Sequence, residues 1–234
     1  MFILYKRMLF LLSGCFILLT ILGTITHEYG HIAVAKCLGY QNTLHYASME
    51  WSNDFKSDVL KTYDRYRFEI ENNLPFKQKN EYVIKIQKIN TDELFITLGG
   101  VLLTVFIGTA GFVILLFQYY KATNTTSFMK WGLIFLSLFW SREVFNFFKG
   151  IINGIFFNKG NYFWGDELKI SNHLGCYEGT FSIISGSIGL CIISFLILKI
   201  VPLKYRLTFI FSGVLGSISG YIIWMIILGP MILP

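Results

Sequence analysis

Residues 8–31 read MLFLLSGCFILLTILGTITHEYGH: nineteen positions without a charge, then two histidines and a glutamate within five residues. As a helix, such a run is long enough for about 30 Å of hydrocarbon, which takes roughly 20 apolar residues. Comparable runs recur along the chain. Of the 234 residues, 54% are hydrophobic and only 15% charged, and the mean hydropathy is positive, which excludes an ordinary soluble domain. The expectation is an all-α polytopic membrane protein forming a single domain over 1–234. Its spans fall at about 8–38, 95–118, 129–150, 180–201 and 207–229. Lys6 and Arg7 could instead introduce a secretory leader. Gly23 to Thr26 offers no alanine-like cleavage pattern, and a cut there would detach the histidines from their helix.

Between the first two spans lies a polar excursion, 41–93, with eight Lys or Arg and nine Asp or Glu. So many charges must stay outside the hydrocarbon. Alternation at Leu44 and Tyr46, and again at Tyr82, Ile84 and Ile86, predicts short strands at both ends of it. Cys15, Cys37, Cys176 and Cys191 are scattered without CxxC spacing and read as ordinary thiols. The net charge of +6 is dispersed over the connections, and no segment interleaves bases with aromatics as nucleic-acid binders do, so no nucleic-acid partner is expected.

His27-Glu28-Tyr29-Gly30-His31 is an H-E-x-x-H run. Helical geometry sets positions i and i+4 on one face, so both imidazoles can reach one zinc ion, and Glu28 lies close enough to take a proton from the water that the metal acidifies. A shuffled chain of this composition would contain about 0.002 such runs, so chance is a poor explanation. Leaving two histidines and a glutamate unpartnered beside lipid would also be costly.

A catalytic zinc usually has three protein ligands and one open position. Counting spans from Met8 places His27 near the far face, where the excursion emerges and where the chain returns at Ile151, ahead of Gly165-Asp166-Glu167. Asp166 is therefore the favoured third ligand. Glu167, His173 and Glu178, and His45 or an acidic residue of the excursion 41–93, are the alternatives, and an N-cap role for Asp166 competes with ligation. Arg142 and Glu143 lie inside the third span with Asn146 one turn on, and intramembrane charges need partners. They could satisfy each other, or Glu143 or Asn146 could face the zinc cavity and position substrate backbone. Small residues four apart, Ser185 and Gly189, then Ser212, Gly216 and Gly220, predict close helix packing. Trp51 and Trp164 read as interfacial anchors.

The segment His27 to Tyr40, HEYGHIAVAKCLGY, resembles the opening of the site-2-protease family of intramembrane metalloproteases, and the stretch around Leu44 and Tyr46 resembles the hairpin that follows it in bacterial members. The likeness covers about 25 residues. Beyond it, Gly165-Asp166-Glu167 stands where the family has Leu-Asp-Gly, no proline is nearby, and Asn161 is a shifted counterpart of the family's asparagine, a substrate-positioning candidate. Gly99 and Gly100 are similar to the family's glycine-containing second helix. The resemblance implies one Zn2+ per chain, a multi-pass protein of a bacterial cell membrane, and cleavage of membrane-anchored protein substrates in regulated intramembrane proteolysis. It also implies an amino terminus outside and zinc toward the cytosol, although Lys6, Arg7, Lys121, Lys204 and Arg206 favour the opposite sense.

The rival from another class is a non-catalytic metal-binding scaffold or chaperone on a protease-like fold, which has no need of Glu28. A transporter would show duplicated halves or paired broken helices, and neither is visible.

Overall fold

The computed structural model describes residues 4–121, 126–156 and 162–233; Asn161 lies outside them. The described chain is mostly helical, with one small sheet. Helix α1 (Lys6–Cys37) leads into an antiparallel hairpin, β1 (Gln41–Leu44) paired with β2 (Met49–Ser52) in the register Gln41–Ser52 to Leu44–Met49. Two short helices follow, α2 (Asp54–Arg65) and α3 (Arg67–Glu71), and then the 42-residue α4 (Lys79–Tyr120). Next come α5 (Ser127–Ser137), a 3-10 turn (Leu138–Trp140), α6 (Ser141–Phe156) and the short α7 (Asp166–His173). The last part is α8 (Thr180–Phe195), α9 (Leu203–Tyr221) and α10 (Gly229–Ile232), with π-helical turns at Leu196–Ile200 and Ile222–Leu228.

Among the described residues, four helical stretches are long and apolar enough to cross a membrane: Lys6–Cys37, Lys79–Tyr120, Thr180–Ile200 and Leu203–Ile232. Their outward surfaces carry exposed Leu, Ile and Phe side chains such as Phe10, Leu102, Phe106 and Leu198, as a lipid-facing surface requires. The stretch expected as a fifth span, 129–150, is not one helix. The 3-10 turn divides it, and the second piece opens with Ser141, Arg142 and Glu143.

The strand expected at Tyr82 to Ile86 is a correction: those residues belong to α4. No glycine or proline breaks the chain between Lys79 and Phe95, so nothing stops the membrane helix from continuing outward. Glu81 pairs with Lys85 one turn on, and Lys85 also pairs with Asp58 of α2. The strand expectation holds at the other end, where Leu44 closes β1 and Tyr46 sits in the turn. The whole excursion is mainly helical instead: Asn53 accepts a hydrogen bond from the Lys56 backbone N–H and caps α2, a use that suits its short polar side chain.

Contacts between helices fix their directions. The Tyr5 N–H donates to Thr208, Ser212 donates to the Leu9 carbonyl, Gly216 lies on Ser13 and Phe16, and Gly220 lies on Thr20. Numbers rise together, so α1 and α9 run parallel. Helix α4 runs against α1, with Asp92 beside Tyr40 and Gly99 beside Gly30. The α5–α6 stretch runs against α4, with Gly111 on Leu136 and Gly108 on Trp140, and α8 runs against α6, with Gly186 on Phe147 and Gly189 on Val144. The hairpin and α7 therefore share one end of the bundle. The main apolar core, including Leu12, Phe16, Leu115, Ile134, Leu138, Leu196 and Phe209, occupies the other. The hairpin is tied to the last helix: the Tyr46 N–H donates to the Leu233 carbonyl at 3.0 Å, and the Trp224 indole donates to the Tyr46 carbonyl at 2.8 Å.

Candidate metal centre

Four residues make just over one helical turn, so His27 and His31 share the face of α1 that meets α4. The two helices touch backbone to backbone there. A Cβ on Gly30 would overlap the Gly99 carbonyl, and one on Gly100 would collide with the His31 ring and come within 2.8 Å of His27 Cε1. Glycine at position 100 is what leaves room for the imidazoles.

His31 is oriented by α4. Its Nδ1 lies 2.7 Å from the Ile96 carbonyl, which can only accept, so Nδ1 carries the proton and Nε2 of the neutral ring offers its lone pair. The two Nε2 atoms are 2.9 Å apart. Asp166 reaches them from 139 positions along the chain, with Oδ2 2.7 Å from His27 Nε2 and 3.4 Å from His31 Nε2. His27 Nδ1 is buried without a hydrogen-bond partner among the described residues, so the ring's polar contacts run only through Nε2. Glu28 is also buried, and no hydrogen bond or ion pair engages its carboxylate among the described residues.

His27, Glu28 and His31 offer ligand atoms within 4.8 Å of one another, a group that could hold a metal ion. The fit extends to Asp166. Ligands at about 2.0–2.2 Å around a tetrahedral ion lie about 3.3–3.6 Å apart, and the three atoms found here at 2.7, 2.9 and 3.4 Å reach that spacing when each shifts by a few tenths of an ångström, on the order of one rotamer adjustment.

Local backbone explains how Asp166 arrives. Gly165 stands at φ +84°, ψ −158°, a conformation that favours glycine, and it is the residue that caps α7, without a side-chain bond. Asp166 is the first helical residue and turns its carboxylate to the histidines, so the N-cap role weighed against ligation is not the one adopted. Burial alone would raise the Asp166 pKa, but its hydrogen bonds to His27 and His31 and the charge of Arg142 outweigh that and hold it well below the usual carboxylate range.

A second layer surrounds the carboxylate. Arg142 NH2 lies 3.3 Å from Asp166 Oδ2, and NH1 lies 3.4 Å from Glu167 Oε1. The Asn146 amide donates to both Glu167 oxygens at 3.1 and 3.2 Å. Ser185 donates to Glu143 Oε2 at 2.8 Å, while Glu143 Oε1 comes only within 3.9 Å of Arg142. The partners of Arg142 and Glu143 are thus chiefly on α7 and α8 rather than each other. Asn146, expected as a substrate-positioning candidate, is placed with its amide on Glu167. Ser185, expected as a packing residue, shares its hydroxyl between Glu143 and the Phe181 carbonyl at 2.9 Å.

The alternative third ligands lie elsewhere. Glu167 is turned toward Arg142 and Asn146, and Glu178 accepts from the Tyr162 N–H at 3.3 Å. His45 sits in the hairpin turn 3.9 Å from Glu50. His173 lines a cleft of about 350 Å³ between α4 and α7, with Glu93, Leu94, Thr97, Lys169 and Asn172. Trp51 packs edge-on against Tyr40 under the Lys56 ammonium, whereas Trp164 is exposed. The sequence reading passed over Gly100 as a cradle and Arg142 as a partner of Asp166. Two successive glycines inside an apolar span were the available signal for the first. Comparison with family models, with curated proteins and with solved structures finds no match to this chain.

Proposed function

We propose that this chain is a membrane-embedded zinc endopeptidase that hydrolyses peptide bonds of membrane-anchored protein substrates. The observation that carries the reading is the convergence of Asp166 on the imidazole pair of an H-E-x-x-H helix, with the glutamate of that motif unengaged. Two imidazoles and one carboxylate form a donor set suited to zinc, with one position left open. His27, His31 and Asp166 would hold the ion. Bound zinc supplies Lewis acidity, polarising a carbonyl and acidifying water.

The chain's own residues do the rest. Glu28 takes a proton from water as the water oxygen adds to the carbonyl carbon, and passes that proton to the amide nitrogen as the carbon–nitrogen bond breaks. Ile96 holds His31 in its ligating tautomer. The helical passages α1, α4, α5–α6, α8 and α9–α10 serve as five crossings. The hairpin and α7 then lie on one membrane face, which the family likeness makes cytosolic.

The test is metal analysis of protein purified in detergent, followed by cleavage of a membrane-tethered substrate in liposomes. About one zinc per chain and activity that chelation abolishes and zinc restores are expected. A chain that takes up no zinc refutes the reading, and one that takes it up without cleaving supports the scaffold instead.

A further inference from the structure

Among the described residues, Arg142 is the cationic side chain within ion-pair distance of the His27–His31–Asp166 cluster. One explanation for it is neutralisation of Glu143, Asp166 and Glu167, since buried carboxylates need a counter-charge. That accounts for the charge and leaves the geometry unexplained. Contacts of 3.3 and 3.4 Å to Asp166 and Glu167 are longer than the 2.7–2.9 Å of a charge-assisted clamp. They occupy two of the five guanidinium N–H groups, and the other three find no acceptor among the described residues. The side chain is 30% exposed, against 16% for Asp166 and 1% for Glu167, so it is the most accessible of these three side chains. Arg142 NH2 and both imidazole Nε2 atoms converge on the same Asp166 oxygen. The unengaged donors are therefore two short contacts from the atoms that would hold the metal.

We propose that Arg142 is a catalytic residue: its free N–H groups donate to the scissile carbonyl oxygen as that oxygen gains negative charge. The proposal rests on the endopeptidase reading above. Asp166 and Glu167 orient the guanidinium beside the cluster before substrate arrives, and removing one such donor typically costs about 10²–10³-fold in rate.

The experiment compares two probes on the zinc-loaded full chain in detergent. Phosphoryl-leucine amide presents charged oxygens where the carbonyl oxygen would develop its charge; mercaptoacyl-leucine amide binds metal through sulfur and presents none there. Arg142→Gln should keep parental zinc content and bind the thiol within about threefold, while its affinity for the phosphoryl probe falls about 10²–10³-fold. Should the Gln variant fail to fold, Arg142→Lys keeps the charge but lacks the planar fork, and the same selective loss, at least about tenfold, is expected. Unchanged phosphoryl affinity overturns the proposal. So does a parallel fall in zinc content and in both affinities, which would make Arg142 a support for Asp166 only. A parental chain that holds zinc and the thiol but not the phosphoryl probe overturns it too. If the parental chain takes up no zinc, the endopeptidase reading itself falls, and this proposal with it.

Discussion

Helix α1 has two working faces, and they are built by different rules. Toward α9 it offers Ser13, Phe16 and Thr20, and small residues answer: Ser212, Gly216 and Gly220 let the backbones close up. Two of its hydroxyls are satisfied within α1, Thr20 donating to the Phe16 carbonyl and Thr24 to the Thr20 carbonyl. Toward α4 and α7 it offers His27, Glu28 and His31, and here glycine makes space for rings rather than for backbone alone, while charge arrives from Arg142 and Asp166 far along the chain. Close approach on one face produces packing, and on the other a group of side chains that could hold a metal ion. The difference lies in what fills the space that glycine opens.

The largest effect should come from changing chemistry without changing shape. Glu28→Gln is expected to keep zinc near parental occupancy and lower cleavage of a membrane-tethered substrate by at least about 10²–10⁴-fold. Parental activity in this variant would remove the catalytic distinction between the two faces. Next is Asp166→Asn, which keeps size but removes the charge. Zinc affinity should fall by more than the roughly 10- to 100-fold typical of an outer-layer partner, as read by competition with a chromogenic chelator. Retention of full affinity would shift the ligand role to another residue, Glu167 or His173.

The glycines sharpen the comparison directly. Gly100→Ala pushes a methyl into both imidazoles, whereas Gly216→Ala pushes one to within 2.6 Å of the Ser13 carbonyl and Phe16 Cβ. Each should cost about 1–3 kcal/mol by overpacking, measured as loss of thermal stability in detergent, but only the first should lower zinc content in the protein that remains folded. Equal zinc loss in both would mean that the two faces are not independent. The smallest effect is expected at Tyr40→Phe. The Tyr40 hydroxyl donates to buried Asp92 at 2.6 Å, so the change should destabilise by about 1–3 kcal/mol while activity per folded molecule stays within about twofold, since α4 keeps its glycine contact with α1.

What the sequence made legible was whatever depends on neighbours along the chain. The H-E-x-x-H face is local periodicity, and the apolar runs are local composition. Asp166 was within reach because span counting fixes which connections share an end, even though it says nothing about rotation. Rotation is what hid Arg142: whether residue 142 or 145 of α6 faces α7 depends on how Gly186 and Gly189 of α8 seat against Phe147 and Val144, a long-range fit. The alternation at Tyr82 to Ile86 misled because Tyr82, Lys85 and Ile86, with Ile89, also follow a helical period, and the apolar run after Phe95 carried the helix back through them. Helix α2 was not legible although Asn53 is a good cap, because Val59 is its one buried residue and so short and charged a segment carries little apolar periodicity.

Helix α4 is a single rod. Its 42 residues extend about 63 Å at 1.5 Å per residue, roughly twice the 30 Å of a bilayer's hydrocarbon. One arm carries α2 through the ion pair between Lys85 and Asp58. The contact of Gly99 with Gly30 acts as a fulcrum, and Ile96, whose carbonyl steers His31, lies within one turn of it. No glycine or proline interrupts α4 between Lys79 and Ile96, so a displacement of the outer arm at α2 would be carried along the helix to the carbonyl that aims the histidine.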